Sequence, residues 1–151
     1  MFSDATIPKV LVVEDDHSIR GLLSMAMRRE GLAVDAADDG AEALRRCEST
    51  EYAVIVLDLM LPVLNGFQFL DALPLTAPNT RPVIFVVTAY DDRIIESLPC
   101  SQVHAVVRKP FDVQQLAAIV ADVAATWRSD VSADAGNVLP PPRETQLGPA
   151  C

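Results

Sequence analysis

Lysine is nearly missing from this chain. Only Lys9 and Lys109 occur among 151 residues, the other cations are arginines, and the formal charge is -9 at pH 7. Without a basic stripe to neutralise phosphates, unaided nucleic-acid binding is not expected. Cysteine is scarce too: Cys47, Cys100 and Cys151 lie far apart, are odd in number and form no CxxC pair. That implies neither a disulfide framework nor a zinc site, and makes a reducing cytoplasm the expected compartment. No apolar run approaches the roughly 20 residues that span a bilayer, so no membrane partner is expected. Met1-Phe2-Ser3-Asp4-Ala5 lacks the basic and apolar regions of a secretory leader. The glycine-rich P-loop pattern is absent as well, which withdraws support from an NTPase.

What is present is a soluble globular composition, 50% hydrophobic and 22% charged, with room for one domain and its core. Four short apolar runs each stop at a polar residue. Lys9-Val10-Leu11-Val12-Val13 ends in Glu14-Asp15-Asp16, and Tyr52-Ala53-Val54-Ile55-Val56-Leu57 ends in Asp58. Val83-Ile84-Phe85-Val86-Val87 ends in Thr88, and Ala105-Val106-Val107-Arg108 ends in Lys109. Short β-branched runs of this kind read as strands buried on both faces, the pattern of a parallel sheet covered by helices.

Between them, helix-like stretches place apolar residues about 3.6 apart. Ile19, Leu22, Leu23 and Ala26 share a face before Gly31; Ala41, Leu44 and Cys47 form a second stripe; Phe67, Phe69, Leu70 and Leu73 form a third. The stretch after Asp91 allows only about two helical turns before Pro99. The last stripe, Leu116, Ile119, Val120, Val123, Ala124 and Trp127, opens with Asp112 and Gln115 in a spacing close to a capping box. Leu32 to Ala37 is the weakest strand and reads as an edge. The expectation is an α/β fold, a doubly wound five-stranded parallel sheet of order 2-1-3-4-5 with helices on both faces. Ligands in such sheets sit beyond the carboxyl ends of the strands, at the switch point between strands one and three.

That edge gathers Glu14, Asp15, Asp58, Thr88 and Lys109. Three acids side by side repel one another unless a cation lies between them. Oxygen ligands alone favour Mg2+ over zinc or copper. An aspartate here can also simply cap a helix, but capping needs one acid and not a pair, so Asp16 is the expected cap. Asp58 closes a strongly apolar strand, where an uncompensated carboxylate is costly, and it is a candidate nucleophile for a phosphoryl group. Thr88 is either a β-branched strand residue or a hydroxyl donor to a phosphoryl oxygen. Lys109 can donate to the same oxygens.

Val12-Val13-Glu14-Asp15-Asp16, Leu57-Asp58-Leu59-Met60-Leu61-Pro62 with Gly66, Val87-Thr88-Ala89 and Arg108-Lys109-Pro110-Phe111 together resemble the bacterial response-regulator receiver domain, the CheY-like, flavodoxin-type fold. The resemblance covers about residues 8–127 and divides the chain into an N-terminal extension (1–7), a receiver domain (8–127) and a disordered proline-rich tail (128–151). It implies that Asp58 is the phosphoacceptor, with Glu14, Asp15, Asp58 and the Met60 backbone carbonyl holding Mg2+. It implies Thr88 as the switch hydroxyl and Lys109 as the phosphoryl-stabilising cation, with Met60, Ala89, Tyr90 and Val106 as modulators. The implied partners are a sensor histidine kinase or histidine phosphotransfer protein and an unknown downstream protein, with a homodimer open.

The chain departs from the family at Val106, where an aromatic usually precedes the lysine by three residues, and at Pro99-Cys100-Ser101-Gln102-Val103 before the last strand. An aromatic rotamer switch is therefore not expected at 106. The overall expectation is a stand-alone receiver in two-component or phosphorelay signalling, a phosphoacceptor with intrinsic autodephosphorylation rather than an ordinary enzyme. Bulky Met60 and Tyr90 are expected to restrict attacking water and prolong the acyl phosphate. Two alternatives are a phosphorylation-independent binding module of the same fold and an aspartyl-phosphate phosphohydrolase, which would want an acid where Met60 stands.

Overall fold

The computed structural model describes residues 7–73, 82–99, 101–133 and 147–149. In chain order its elements are β1 (Lys9–Val13), α1 (His17–Arg29), β2 (Ala33–Ala37), α2 (Gly40–Ser49), β3 (Val54–Asp58) and α3 (Gly66–Ala72). They continue as β4 (Val83–Thr88), α4 (Asp92–Glu96), β5 (Val103–Arg108), α5 (Val113–Ala133) and β6 (Leu147–Pro149). The sheet order is β2-β1-β3-β4-β5-β6. The first five strands are parallel in the expected 2-1-3-4-5 order, with β2 at the edge.

Alternation along the strands sorts the core into two layers. Val10, Val12, Val54, Val56, Phe85, Val87, Ala105 and Val107 pack with Leu23 and Met27 of α1 and Leu116, Val120 and Ala124 of α5. Leu11, Val13, Ile55, Leu57, Ile84, Val86 and Val106 point the other way, onto Ala43, Phe69, Leu70 and Ile95 of the remaining helices. Successive strand side chains face opposite sides, so both faces of the sheet are dry and the strands read as unbroken apolar runs. In β5 the register passes from Val103 to Ala105, skipping His104.

Helix starts are set by side-chain caps. Asp16 Oδ1 accepts from Ile19 N at 2.9 Å, Asp39 Oδ1 from Glu42 N at 2.8 Å, and Asp112 Oδ1 from Gln115 N at 2.9 Å. Asn65 and Gln68 form a full capping box at α3. Each such cap stabilises its helix by about 1 kcal/mol. Gly31, at φ 90, ends α1 in a backbone region that other residues rarely enter.

Three expectations differ from the structure. The inward face of α1 is Leu23 and Met27, while Leu22 is 54% exposed, because the helix phase is set by contact with the sheet. His104, whose place before the last apolar run suggests a solvated ring, lies within β5, half-buried, with its ring 5.4 Å from that of Phe85. The boundary expected at residue 127 falls inside α5, which runs on to Ala133, and Leu147–Pro149 joins the sheet as β6. Hydrophobic periodicity is the sequence signal for an element, and neither residues 128–133 nor 147–149 carry it. The proline run at 139–143 and the side chain of Trp127 lie outside the described residues.

Candidate functional site

The chain leaves β1, β3, β4 and β5 at one edge of the sheet, and the five anticipated site residues meet there. Glu14 is 2% exposed and Asp58 4% exposed. Lys109 Nζ bridges them, 3.0 Å from Glu14 Oε1 and 3.2 Å from Asp58 Oδ2. Asp15 is exposed, and one carboxylate oxygen from each of Glu14, Asp15 and Asp58 can be chosen within 4.8 Å of the others. Thr88 is fully buried; β3–β4 pairing sets Asp58 against Val87, one residue before it. Its Oγ1 accepts from Tyr90 N at 3.0 Å.

Backbone and arginine contacts hold this set in place. Met60 N–H donates to Asp58 Oδ1 at 3.1 Å, and Asp16 N–H to Glu14 Oε2 at 3.1 Å. Gly66 lies against the Asp58–Leu59 backbone: a Cβ there would meet the Leu59 Cα at 2.7 Å and the Asp58 carbonyl oxygen at 2.8 Å. Glycine is required by this close approach. Arg20 Nη1 donates to the carbonyls of Glu14 (2.9 Å) and Asp15 (3.3 Å), tying α1 to the acidic loop. Arg108 donates to the Tyr90 carbonyl at 3.2 Å and pairs with Asp92, so β5 grips the loop after Thr88. Neither arginine has a role legible in the sequence: Arg20 lies in no motif, and Arg108 enters one only as the neighbour of Lys109. Lys109–Pro110 is a cis bond.

The electrostatics are those of an unfinished site. Burial, with the charge of Asp58 added, pushes the Glu14 carboxyl up to about 7 against the opposing pull of Lys109. Burial draws the Lys109 ammonium down, but its contacts with Glu14 and Asp58 outweigh that and leave its pKa raised. One lysine thus bridges two of the three clustered acids. A hard divalent cation fits the remaining charge and the all-oxygen donor set, and Mg2+ is the natural choice. Glu14, Asp15 and Asp58 are the residues that could hold it.

Of the residues expected to act as modulators, Met60 is 51% exposed beside Asp58, and Ala89 is exposed after Thr88. Tyr90 is half-buried, its ring 6.3 Å from Phe67. Val106 is buried in the same cluster as Ile84, Val86 and Ile95. His17 is exposed near the acidic loop, with Nδ1 3.3 Å from Arg20 Nη2. A feature without a sequence signal is Val63, 80% exposed at φ 67 in the loop between β3 and α3. A β-branched residue is rare in that region.

Comparison with known proteins agrees with this geometry. A family profile described as "Response regulator receiver domain" matches residues 10–121. The transcriptional regulatory protein PrrA of Mycobacterium leprae is 36% identical over 122 residues, covering 80% of this chain and 51% of PrrA. The chain therefore spans about half the length of that relative. Among solved structures, the Francisella response regulator 1452 receiver domain has a TM-score of 0.68 at 31% identity, with 82% of this chain and 99% of that chain covered. Chemotaxis response regulator CheY4 of Vibrio cholerae has a TM-score of 0.69 at 28% identity, covering 78% and 99%.

Proposed function

This chain belongs to the response regulator receiver domain family, the signalling modules of two-component systems, and we propose that Asp58 is its phosphoacceptor. The observation that carries the reading is the buried Asp58 carboxylate, bonded to Lys109 and grouped with Glu14 and Asp15. In the proposed step an Asp58 carboxylate oxygen attacks the phosphorus of a phosphohistidine. The P–N bond breaks, the imidazole leaves, and an acyl phosphate forms. Lys109 turns from the carboxylate to the phosphoryl oxygens as charge moves onto them, and Thr88 rotates its hydroxyl from the Tyr90 N–H to donate to the same group.

Glu14, Asp15, Asp58 and the Met60 carbonyl would hold Mg2+, which would supply neutralisation of the clustered negative charge. The donor is a sensor histidine kinase or a histidine phosphotransfer protein, the output passes through protein contacts, and the compartment is the cytoplasm. Among the described residues no helix is long and apolar enough to cross a membrane.

Incubation with acetyl phosphate or phosphoramidate and Mg2+, followed by intact mass, tests the proposal. One phosphoryl group is expected, lost in Asp58→Asn. An unmodified wild-type chain overturns it in favour of a phosphorylation-independent binding module. Slow autodephosphorylation is proposed to follow from Met60 and Tyr90 shielding the acyl phosphate from water. Met60→Asn with Tyr90→Glu should hydrolyse faster, and an unchanged or slower rate removes that idea.

A further inference from the structure

The five parallel strands leave two edges, and the structure treats them differently. The outer strand β2 carries Asp35, a partly buried carboxylate paired with Lys9 at 3.3 Å and bonded by the Tyr52 hydroxyl at 2.7 Å. A charged residue in an edge strand discourages pairing with other chains. β5 has no counterpart: Val103, Ala105, Val106 and Val107 are all buried, and its exposed charge, Arg108, stands only at the exit. That is the edge β6 covers, antiparallel, with Leu147 opposite Val107, Gly148 opposite Val106 and Pro149 opposite Ala105.

We propose that residues 147–149 are a built-in edge cap: this chain's own segment occupies the strand-acceptor site on β5 and closes it to extended segments from other proteins. Three features of β6 suit a cap rather than an extension of the sheet. It pairs over three residues, against the five pairs between β4 and β5, so it is the weaker partner of the two. It ends in Pro149, which has no N–H to offer a further strand. Its centre is Gly148, which brings no side chain to pack over Val106 and so adds nothing there to the backbone bonding.

The connection also fits geometrically. α5 follows β5 and returns along the sheet for 21 residues, about 31 Å of helix. The thirteen residues 134–146 reach at most about 45 Å when extended, enough to bring Leu147 back to Val107 near the site end of β5. β6 can therefore be supplied by the same chain. The strand it covers leads directly through Arg108 to Lys109, which makes the acceptor edge and the acidic site neighbours along one strand.

Amide hydrogen exchange on the full chain, compared with Leu147→Pro/Gly148→Pro, tests the cap. Exchange at the Val106 amide, which faces β6, should rise about tenfold or more in the variant, while the Ala105 and Val107 amides on the β4 side, the β1 and β3 amides and acetyl-phosphate labelling stay unchanged. A fluorescent peptide of residues 144–151 should bind the variant and not the wild type. Equal exchange at Val106 in both chains overturns the proposal. So does a wild-type dimer whose protection at Val106 falls on dilution, because the strand would then come from the second copy. Labelling at Asp58 is read separately, so the phosphoacceptor reading stands or falls on its own.

Discussion

Asp35 on β2 and Glu14 after β1 are both carboxylates withdrawn from water on the same sheet, yet their protonation is driven in opposite directions. Around Asp35, burial raises the pKa, but the Tyr52 hydroxyl, Lys9 and Arg46 together outweigh it and hold the carboxyl below its usual value. Around Glu14, burial and Asp58 dominate one shared lysine and lift it to about 7. One acid facing two cations and a hydroxyl is a finished structural contact. The three clustered acids, two of them sharing one lysine, are held together by the fold against their own repulsion, which an added cation would relieve. Perturbation of this kind marks functional sites more often than structural ones.

The largest expected effect separates the two clusters by chemistry. Asp58→Asn should abolish phosphoryl incorporation, while Asp35→Asn should leave the labelling rate within about twofold. Comparable losses in both would erase the distinction. Stability should move the other way. Asp35→Asn is expected to cost about 1–3 kcal/mol in urea unfolding, the usual range for a hydrogen bond to a charged partner. Glu14→Gln should instead raise the stability of the metal-free protein by about 1 kcal/mol at slightly alkaline pH and weaken Mg2+ binding at least tenfold, read by calorimetry.

The pH profile sharpens the same contrast. The folded pKa of Glu14 lies above its ordinary 4.5, so its contribution is fully present below that value and is lost as pH rises through about 7. Asp35 is shifted below 3.8, so its contribution is present above that value and is lost as pH falls through its depressed pKa. Metal-free protein should therefore lose melting temperature between about pH 5 and pH 8, and saturating Mg2+ should flatten that slope. A slope unchanged by Mg2+ would show that Glu14 is not a ligand. The smallest effect belongs to the loop beside the site. Val63→Gly should stabilise by about 0.5–1 kcal/mol, because relief of the left-handed strain exceeds glycine's added unfolded-state entropy.

Much of this was legible from residue order. The apolar runs marked β1, β3, β4 and β5, the poor run marked the edge strand β2, and the space before Pro99 allowed only the short α4. The polar residue ending each buried strand marked the site, since a carboxylate at the end of a dry strand needs a reason to be there. Other residues carried no such signal. Arg20 and Arg108 act by reaching carbonyls whose positions depend on loop paths. Val63 resembles any apolar loop residue until its φ is known. Leu22 and Leu23 are equally apolar, and only docking against the sheet decides which one is buried.

The sequence by itself determined the layered α/β fold and the membership of the acidic edge, because alternation, β-branched runs and strand-end polarity are local properties. Tertiary structure alone decided the balance of charge. Lys109 stands 51 residues from Asp58 in the chain and bonds it only because β5 lies beside β4 and β4 beside β3. It also decided that the outer edge of β5 is covered by Leu147–Pro149, a pairing made through backbone groups that every residue possesses and that composition does not reveal.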